Sequence, residues 1–377
     1  MSPTGATSPM RITYAMHVNW RWIRQRPHVL AEQLAQTHAL SLLHYAMYHR
    51  HHRAAEPAPP FPAHELRRLP ERVKRLGAPL RALDAHWIAQ QVKRAVHADA
   101  SELLWLTHPD FAAAALALPG LPVVYDCMDD HAAFDAAAAP ALLAAEQRLV
   151  ARADLVLFSS GTLARRVAAR TPLRRFEVVN NGVADSLLER AAASARAAAG
   201  AADGPVLGYF GTVSHWFDWP LVLRLLDALP GARLMLAGPL ETALPAHPRV
   251  RHAGVLAHAE LAAFVADCDV LVMPFVVNRL IEAVDPVKLY EYVAFGRPAL
   301  APRYAESERF APWVSLYRDA DEALALLGAG TAACADDAAR QRFLAANSWR
   351  QRARQIEQAI GTLRPGDARK AAAPTPA

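Results

Sequence analysis

Residues Asp285–Pro298 read DPVKLYEYVAFGRP. Asp285 is a good N-cap, and Pro286 is a favoured first helical residue because its missing N–H would have no partner there anyway. Gly296 stands where a helix end calls for a left-handed residue, and Pro298 blocks continuation. The stretch predicts a helix of about ten residues. An apolar run, Val270–Pro274, precedes it across a loop. Strand, loop and helix in that order put the helix N-terminus beside the carboxyl ends of parallel strands, where open α/β sheets bind their ligands.

Such an N-terminus carries partial positive charge and free N–H groups, a ready phosphate site. Lys288 falls in the first turn, the only lysine between Lys93 and Lys370 in a chain that otherwise relies on arginine. A compact ammonium suits a diphosphate that is held and then released. Glu291, one turn on, shares that face and can accept hydrogen bonds from ribose hydroxyls. The same spacing also fits a plain surface ion pair worth about 0.2–0.5 kcal/mol.

Working outward, apolar runs alternate with helical patterns, the signature of parallel sheets covered on both faces. Strands are expected at Arg11–Ala15, Leu40–His44, Leu103–Thr107, Val123–Asp126, Leu155–Ser159 and Phe176–Val179, then at Val206–Phe210, Ala232–Ala237, Val250–Ala253, Val270–Pro274 and Pro298–Ala301. Helices are expected at Pro27–Gln36, Leu83–His97, Pro140–Arg152 and Leu163–Arg170, then at Pro220–Leu229, His258–Ala266, Pro286–Phe295 and Asp319–Leu327. An Ala-rich stretch ending in Gly200-Ala201-Ala202-Asp203-Gly204 reads as a linker. The expected divisions are a domain over 10–185, a linker over 186–204, a domain over 205–345, a final helix over 346–363 and a disordered tail over 364–377. In that final helix, Ser348 and Gln351 form a capping-box pattern, and Trp349, Ala353, Ile356 and Ile360 share one face.

Composition agrees with this. A length of 377 residues suggests two domains, and a 53% hydrophobic content suffices for two cores. Mean hydropathy is +0.05, and no apolar stretch approaches the ~20 residues of a membrane span. The first ten residues lack the charged start and apolar core of a signal peptide, so a cytoplasmic location is expected, with the inner face of the membrane as a further option. Cys127, Cys268 and Cys334 stand far apart, which argues against disulfides or zinc. His49, His51 and His52 lack carboxylate or cysteine partners and read as a solvated loop, so no metal site is expected. Net charge is +5, and Leu66–Arg81 is the densest basic segment, a candidate contact for an anionic membrane. No reader motif or aromatic-interleaved basic run points to nucleic acid.

The helix DPVKLYEYVAFGRPAL resembles the donor-binding helix of GT-B glycosyltransferases, especially bacterial envelope-polysaccharide enzymes of the teichuronic-acid type. Similarity continues through Arg26–Ala31 (RPHVLA), Val124–Asp130 (VYDCMDD), Ala153–Val156 (ADLV), Asn180–Val183 (NNGV) and Gly208–Thr212 (GYFGT), in matching order and spacing. The donor helix also resembles that of the xanthan glucuronosyltransferase type. The resemblance implies an α/β fold of two Rossmann-like, doubly wound domains facing each other across a cleft. It implies metal-independent transfer of a sugar from a nucleotide-diphosphate donor, UDP-linked by expectation, to a lipid-linked or polysaccharide hydroxyl. The nucleotide sugar would be a co-substrate, with no resident cofactor. The terminal helix would cross back to the first domain.

On the donor side the resemblance implicates Gly211, Thr212, Ser214, Phe275, Pro286, Val287, Lys288, Tyr290 and Glu291, with Gly254 near the base. On the acceptor side it implicates His17, Asn19, Trp20, Arg26 and His108. Interdomain packing for Trp20, an ordinary loop role for His108 and backbone anchoring for Arg26 are open alternatives. Asp129 resembles the general base of the glucuronosyltransferase type by its distance from Tyr125. Asp130 is the fallback, as a base or as a helix cap. The chain departs from the large retaining family related to sucrose and glycogen synthases. The first of that family's two glutamates falls at Ala283, and Gly211–Trp216 holds no arginine or lysine. A nucleotide-sugar epimerase and a non-catalytic nucleotide-sugar-binding subunit are the rival readings.

Overall fold

The computed structural model describes residues 8–46, 58–185, 187, 204–257, 260–330 and 336–363. The expected histidine cluster at 49–52, most of the expected linker and the expected tail lie outside the described residues. The chain divides into two compact units, Met1–Asn180 with Arg352–Ala377, and Asn181–Gln351.

The first unit is a seven-stranded parallel sheet in the order β3-β2-β1-β4-β5-β6-β7. Its strands are β1 (Arg11–Met16), β2 (Ala39–Tyr45), β3 (Ala63–Leu66), β4 (Leu103–Leu106), β5 (Val123–Cys127), β6 (Leu155–Phe158) and β7 (Phe176–Val178). The helices are α1 (Arg26–Leu34), α2 (Glu71–Lys74), α3 (Ala78–Ala98), α4 (Ala112–Leu116), α5 (Ala139–Arg152) and α6 (Gly161–Ala168). Central strands such as Leu103–Leu106 are buried throughout, as expected of a parallel sheet covered on both faces. Strand order reverses between β1 and β4, so a ligand crevice belongs at their carboxyl ends, where His17 and His108 follow.

The second unit is a six-stranded parallel sheet, β10-β9-β8-β11-β12-β13. Its strands are β8 (Val206–Phe210), β9 (Arg233–Ala237), β10 (Val250–His252), β11 (Val270–Val272), β12 (Ala299–Pro302) and β13 (Ser315–Tyr317). Helices α7 (Trp219–Ala228), α8 (Leu261–Ala266), α9 (Val287–Phe295), α10 (Ala320–Gly328) and α11 (Asp337–Ala346) follow, and α12 (Trp349–Ile360) begins in this unit. Here the order reverses between β8 and β11, which places Gly211 and Phe275 at the switch point.

From Arg352 on, α12 belongs to the first unit. His38 Nε2 lies 2.9 Å from Glu357 Oε2, Gln355 Nε2 donates to the Val178 carbonyl at 3.0 Å, and an Arg175 guanidinium N–H donates to that of Ala359 at 2.8 Å. Trp349, Ala353, Ile356 and Ile360 are all buried, so their shared face is the packed one. The Gln351 N–H donates to Ser348 Oγ at 3.2 Å, as a cap requires.

Several elements differ from the sequence expectation. Edge strands β3 and β13 lack the long apolar run that marks a central strand, and their identity rests on pairing with β2 and β12. Helix α3 starts at Ala78, five positions before the expected Leu83, because Gly77 and Pro79 form its entry. The basic segment Leu66–Arg81 is therefore split between a strand end, α2 and the first turn of α3. Arg68 and Lys74 turn inward, Arg68 to Glu71 and Asp110, Lys74 to Glu71 and Asp84. Among the described residues, no helix is long and apolar enough to cross a membrane, and no cluster of histidine, cysteine or carboxylate side chains could hold a metal.

Candidate functional site

In the second unit, α9 begins at Val287, with Pro286 in the N-cap position. This corrects the expectation that Asp285 caps the helix. Asp285 is 2% exposed and turns its carboxylate away from the helix end. That carboxylate pairs with Arg309, accepts the Asn181 N–H and lies 3.4 Å from the Tyr290 hydroxyl. A buried carboxylate left uncompensated would cost several kcal/mol, so it goes where a guanidinium and an N–H meet it. The other end is as expected: Gly296 is left-handed at φ 66°.

Lys288 and Glu291 lie in the first turns of α9, both half-buried. Among the described residues, neither side chain makes a hydrogen bond or ion pair, with the other or with anything else. This rules out the plain ion-pair reading of their spacing. The Lys288 ammonium instead sits 5.6 Å from the centre of the Tyr209 ring. Burial pulls the Lys288 pKa down, against the opposing pull of Glu291. Burial likewise pushes the Glu291 carboxyl up to about 7, with Lys288 acting to lower it. Gly211, at φ 133°, makes this placement possible, because a β-carbon there would overlap the lysine side-chain end.

The other expected donor residues divide. Tyr290 is fully buried, packed 4.8 Å from the Phe310 ring, and supports the helix from the core. Pro286 and Phe275 are also buried, Phe275 against Tyr209. Ser214 is 4% exposed with its hydroxyl 3.3 Å from His215 Nδ1. Thr212 is half-buried, and its carbonyl takes the Tyr209 hydroxyl at 2.7 Å. Val287 is half-buried, and Gly254 is left-handed at φ 84° with open space where a β-carbon would lie. Ala283 is buried and offers no carboxylate. The Asp285–Arg309–Asn181 group escaped sequence reasoning because Asn181 lies 104 positions away and no local pattern joins them.

In the first unit, His17 and His108 follow β1 and β4, and His131 joins them from the loop after β5. The three rings lie within 4.4–5.2 Å of one another, centre to centre. Burial, then the neighbouring imidazoles, hold His17 and His108 well below the ordinary range; burial also lowers His131, against nearby carboxylates. His17 Nδ1 lies 2.9 Å from Thr107 Oγ1, and His108 Nδ1 accepts the Asp110 N–H at 3.1 Å. Sequence reasoning missed His131. Its only signal was a position two residues past Asp129.

Asn19, Trp20 and Arg26 are each engaged within the first unit. Asn19 is buried, its amide donating to the Tyr45 carbonyl at 2.7 Å. Trp20 packs on His28 and Phe61. Arg26 is buried and donates from Nε and Nη2 to Asp126 at 2.8–3.1 Å, and from Nη1 to the Val179 carbonyl at 2.7 Å. It is the anchor rather than the anion site. Asp130 is buried and paired with Arg166 at 3.4 Å. Asp129 is half-exposed, and among the described residues its carboxylate makes no hydrogen bond or ion pair. Burial, opposed by Arg26 and aided by Asp126 and Asp130, pushes that carboxyl up to about 7. Of the two adjacent acids, Asp130 is buried and paired, whereas Asp129 is the more accessible and its raised pKa suits a general base near neutral pH.

These arrangements can be set beside known proteins. Residues 220–358 match a family described as glycosyl transferase-like. Sucrose-phosphate synthase from Thermosynechococcus elongatus superposes with a TM-score of 0.71 at 15% identity, covering 93% of this chain and 98% of that one. A trehalose-6-phosphate structure from E. coli bound with UDP-2-fluoro glucose gives 0.69 at 10% identity, covering 94% and 100%. The chain has the GT-B glycosyltransferase fold. The GT-B likeness extends to a lipopolysaccharide outer core galactosyltransferase, WaaB, with a TM-score of 0.63 at 10% identity, covering 93% and 99%. In sequence, 245 residues are 26% identical to TuaH of Bacillus subtilis (strain 168), named as a teichuronic acid biosynthesis glycosyltransferase. That match covers 60% of this chain and 62% of the relative's length.

Proposed function

We propose that this GT-B protein is a glycosyltransferase that moves a sugar from a UDP-linked donor to a hydroxyl of a lipid-linked or growing polysaccharide, in envelope or exopolysaccharide synthesis at the cytoplasmic face of the membrane. The observation that supports the reading is the pair Lys288 and Glu291, two half-buried charged groups at the first turns of a helix whose side chains make no hydrogen bond or ion pair among the described residues. Keeping such groups desolvated and unpaired costs free energy, which an arriving ligand recovers. Lys288 and the N–H groups of α9 neutralise charge building on the leaving diphosphate, the usual main source of such catalysis. Glu291 accepts from the ribose hydroxyls. Asp129 takes the proton of the attacking hydroxyl.

The test is a binding and turnover comparison. UDP should raise the unfolding temperature of the wild type and not of Lys288→Ala, and Asp129→Asn should keep UDP binding while losing transfer. Full turnover in both variants would overturn the assignment. Incubating UDP-sugar alone and recovering an epimerised donor would replace transfer with epimerisation.

A further inference from the structure

We infer that the corner of the first unit formed by α2, the Gly77 turn and the first turns of α3 docks onto an anionic phospholipid surface. The inference rests on the proposed acceptor being handled at a membrane, but it is tested without any transfer reaction.

Helix α3 has two apolar stripes. One, with Ile88, Val92 and Val96, is buried within the unit. On the other, Leu83 and Trp87 stand one turn apart and are 56% and 39% exposed. Leu76, just before the helix, is 78% exposed. Arg75 reaches Asp135 at 3.7 Å, which brings the loop bearing Phe134, 48% exposed, to the same corner. Large apolar side chains gathered on one outward corner mark a contact surface and are not the scattered exposure every protein shows.

The charges around this corner select the occupant. Arg72, Arg75 and Arg81 are exposed beside the apolar residues, and Arg94 lies further along α3. Between Leu76 and His97 the sole acid is Asp84. It is buried, accepts the Leu69 N–H at 2.6 Å and lies 3.6 Å from Lys74. Two more acids lie at the corner, but Glu71 is paired with Arg68 and Lys74, and Asp135 with Arg75. The arginines remain in excess around the apolar prongs, the pattern of an interfacial helix on acidic lipid. A second copy of the chain would set arginine against arginine across a twofold interface, which opposes that alternative. The loop that ends at Phe134 begins at Asp129, so a surface seated here holds the candidate base near lipid-borne hydroxyls.

The experiment is sedimentation of the full chain with vesicles of phosphatidylcholine, alone or mixed with phosphatidylglycerol. The wild type should bind the mixed vesicles and not the neutral ones, with binding that weakens as salt rises. Arg72→Ala and Arg81→Ala should each weaken it about fivefold. The double variant Leu83→Ser with Trp87→Ser should weaken it more than about tenfold. The arginine variants should keep the wild-type unfolding temperature, since those side chains are exposed. The double variant is compared at a temperature where its unfolding curve shows it folded, because Trp87 is only 39% exposed. Equal binding to neutral vesicles, unchanged binding by the variants, or a solution dimer that the double variant disperses would overturn the inference. UDP binding by the same proteins reports on the donor site independently.

Discussion

Replacing Lys288 with methionine tests the donor site most directly, because the structure specifies three outcomes at once. The ammonium has no hydrogen bond or ion pair among the described residues, so removing it breaks only its contact with the Tyr209 ring. It is also desolvated, so its loss relieves a cost. Unfolding temperature should therefore stay level or rise. With a diphosphate bound, the same ammonium makes a charge-assisted hydrogen bond worth about 1.5–3 kcal/mol. UDP affinity should fall roughly 13- to 160-fold. Third, Lys288 holds the Glu291 carboxyl down, so in the variant that group should titrate above the value of about 7 it has beside the lysine. Thermal unfolding gives the first outcome, calorimetric titration with UDP the second and the pH dependence of UDP binding the third. An unchanged UDP affinity would refute the phosphate role. A stability loss above about 1 kcal/mol would show that Lys288 is a structural residue after all.

Other expectations follow from the same geometry. Because burial raises Asp129 to about 7, transfer should increase as pH rises through that value, where the carboxylate becomes available as a base. The folded state also holds this proton more tightly than the unfolded chain does, so Asp129 withdraws stability as pH climbs from the ordinary carboxylate range to about 7; Asp129→Asn should be relatively more stable above it, measured by urea titration across pH. Asp285→Ala removes one of the two carboxylates that Arg309 meets, Glu306 at 3.5 Å being the other, and leaves the Asn181 N–H without its acceptor. It should cost about 1–3 kcal/mol in a urea titration, more than any change at Lys288. Arg26→Ala strands Asp126 in the first core and should cost a similar 3–5 kcal/mol, with UDP affinity retained in whatever protein folds.

The sequence was most legible where the signal was local. Central strands are continuous apolar runs, and helix entries and exits carry proline, glycine or a capping side chain. Each is decided within a few residues by backbone sterics and by burial on two faces. The edge strands β3 and β13 lack that signal, since their partners lie in other segments. The candidate site follows the same division. Lys288 and Glu291 were evident from one helix and its rare lysine. His131 was not, because only the alignment of β1, β4 and β5 brings it to His17 and His108.

The segment Asp285–Pro298 shows the division in miniature. Its sequence determined a short helix ending at Gly296, because a left-handed glycine and a following proline leave the backbone little alternative. Its sequence also placed a lysine and a glutamate on the opening turns. Tertiary structure decided what those residues do. Asp285, a plausible cap by sequence, serves Arg309 and Asn181, since a carboxylate sealed from water must find charge and donors wherever the fold supplies them. Lys288 and Glu291, a plausible ion pair by sequence, stay apart. Local geometry fixes which way a chain turns, but the partner of a buried charge is set by segments that only folding brings together.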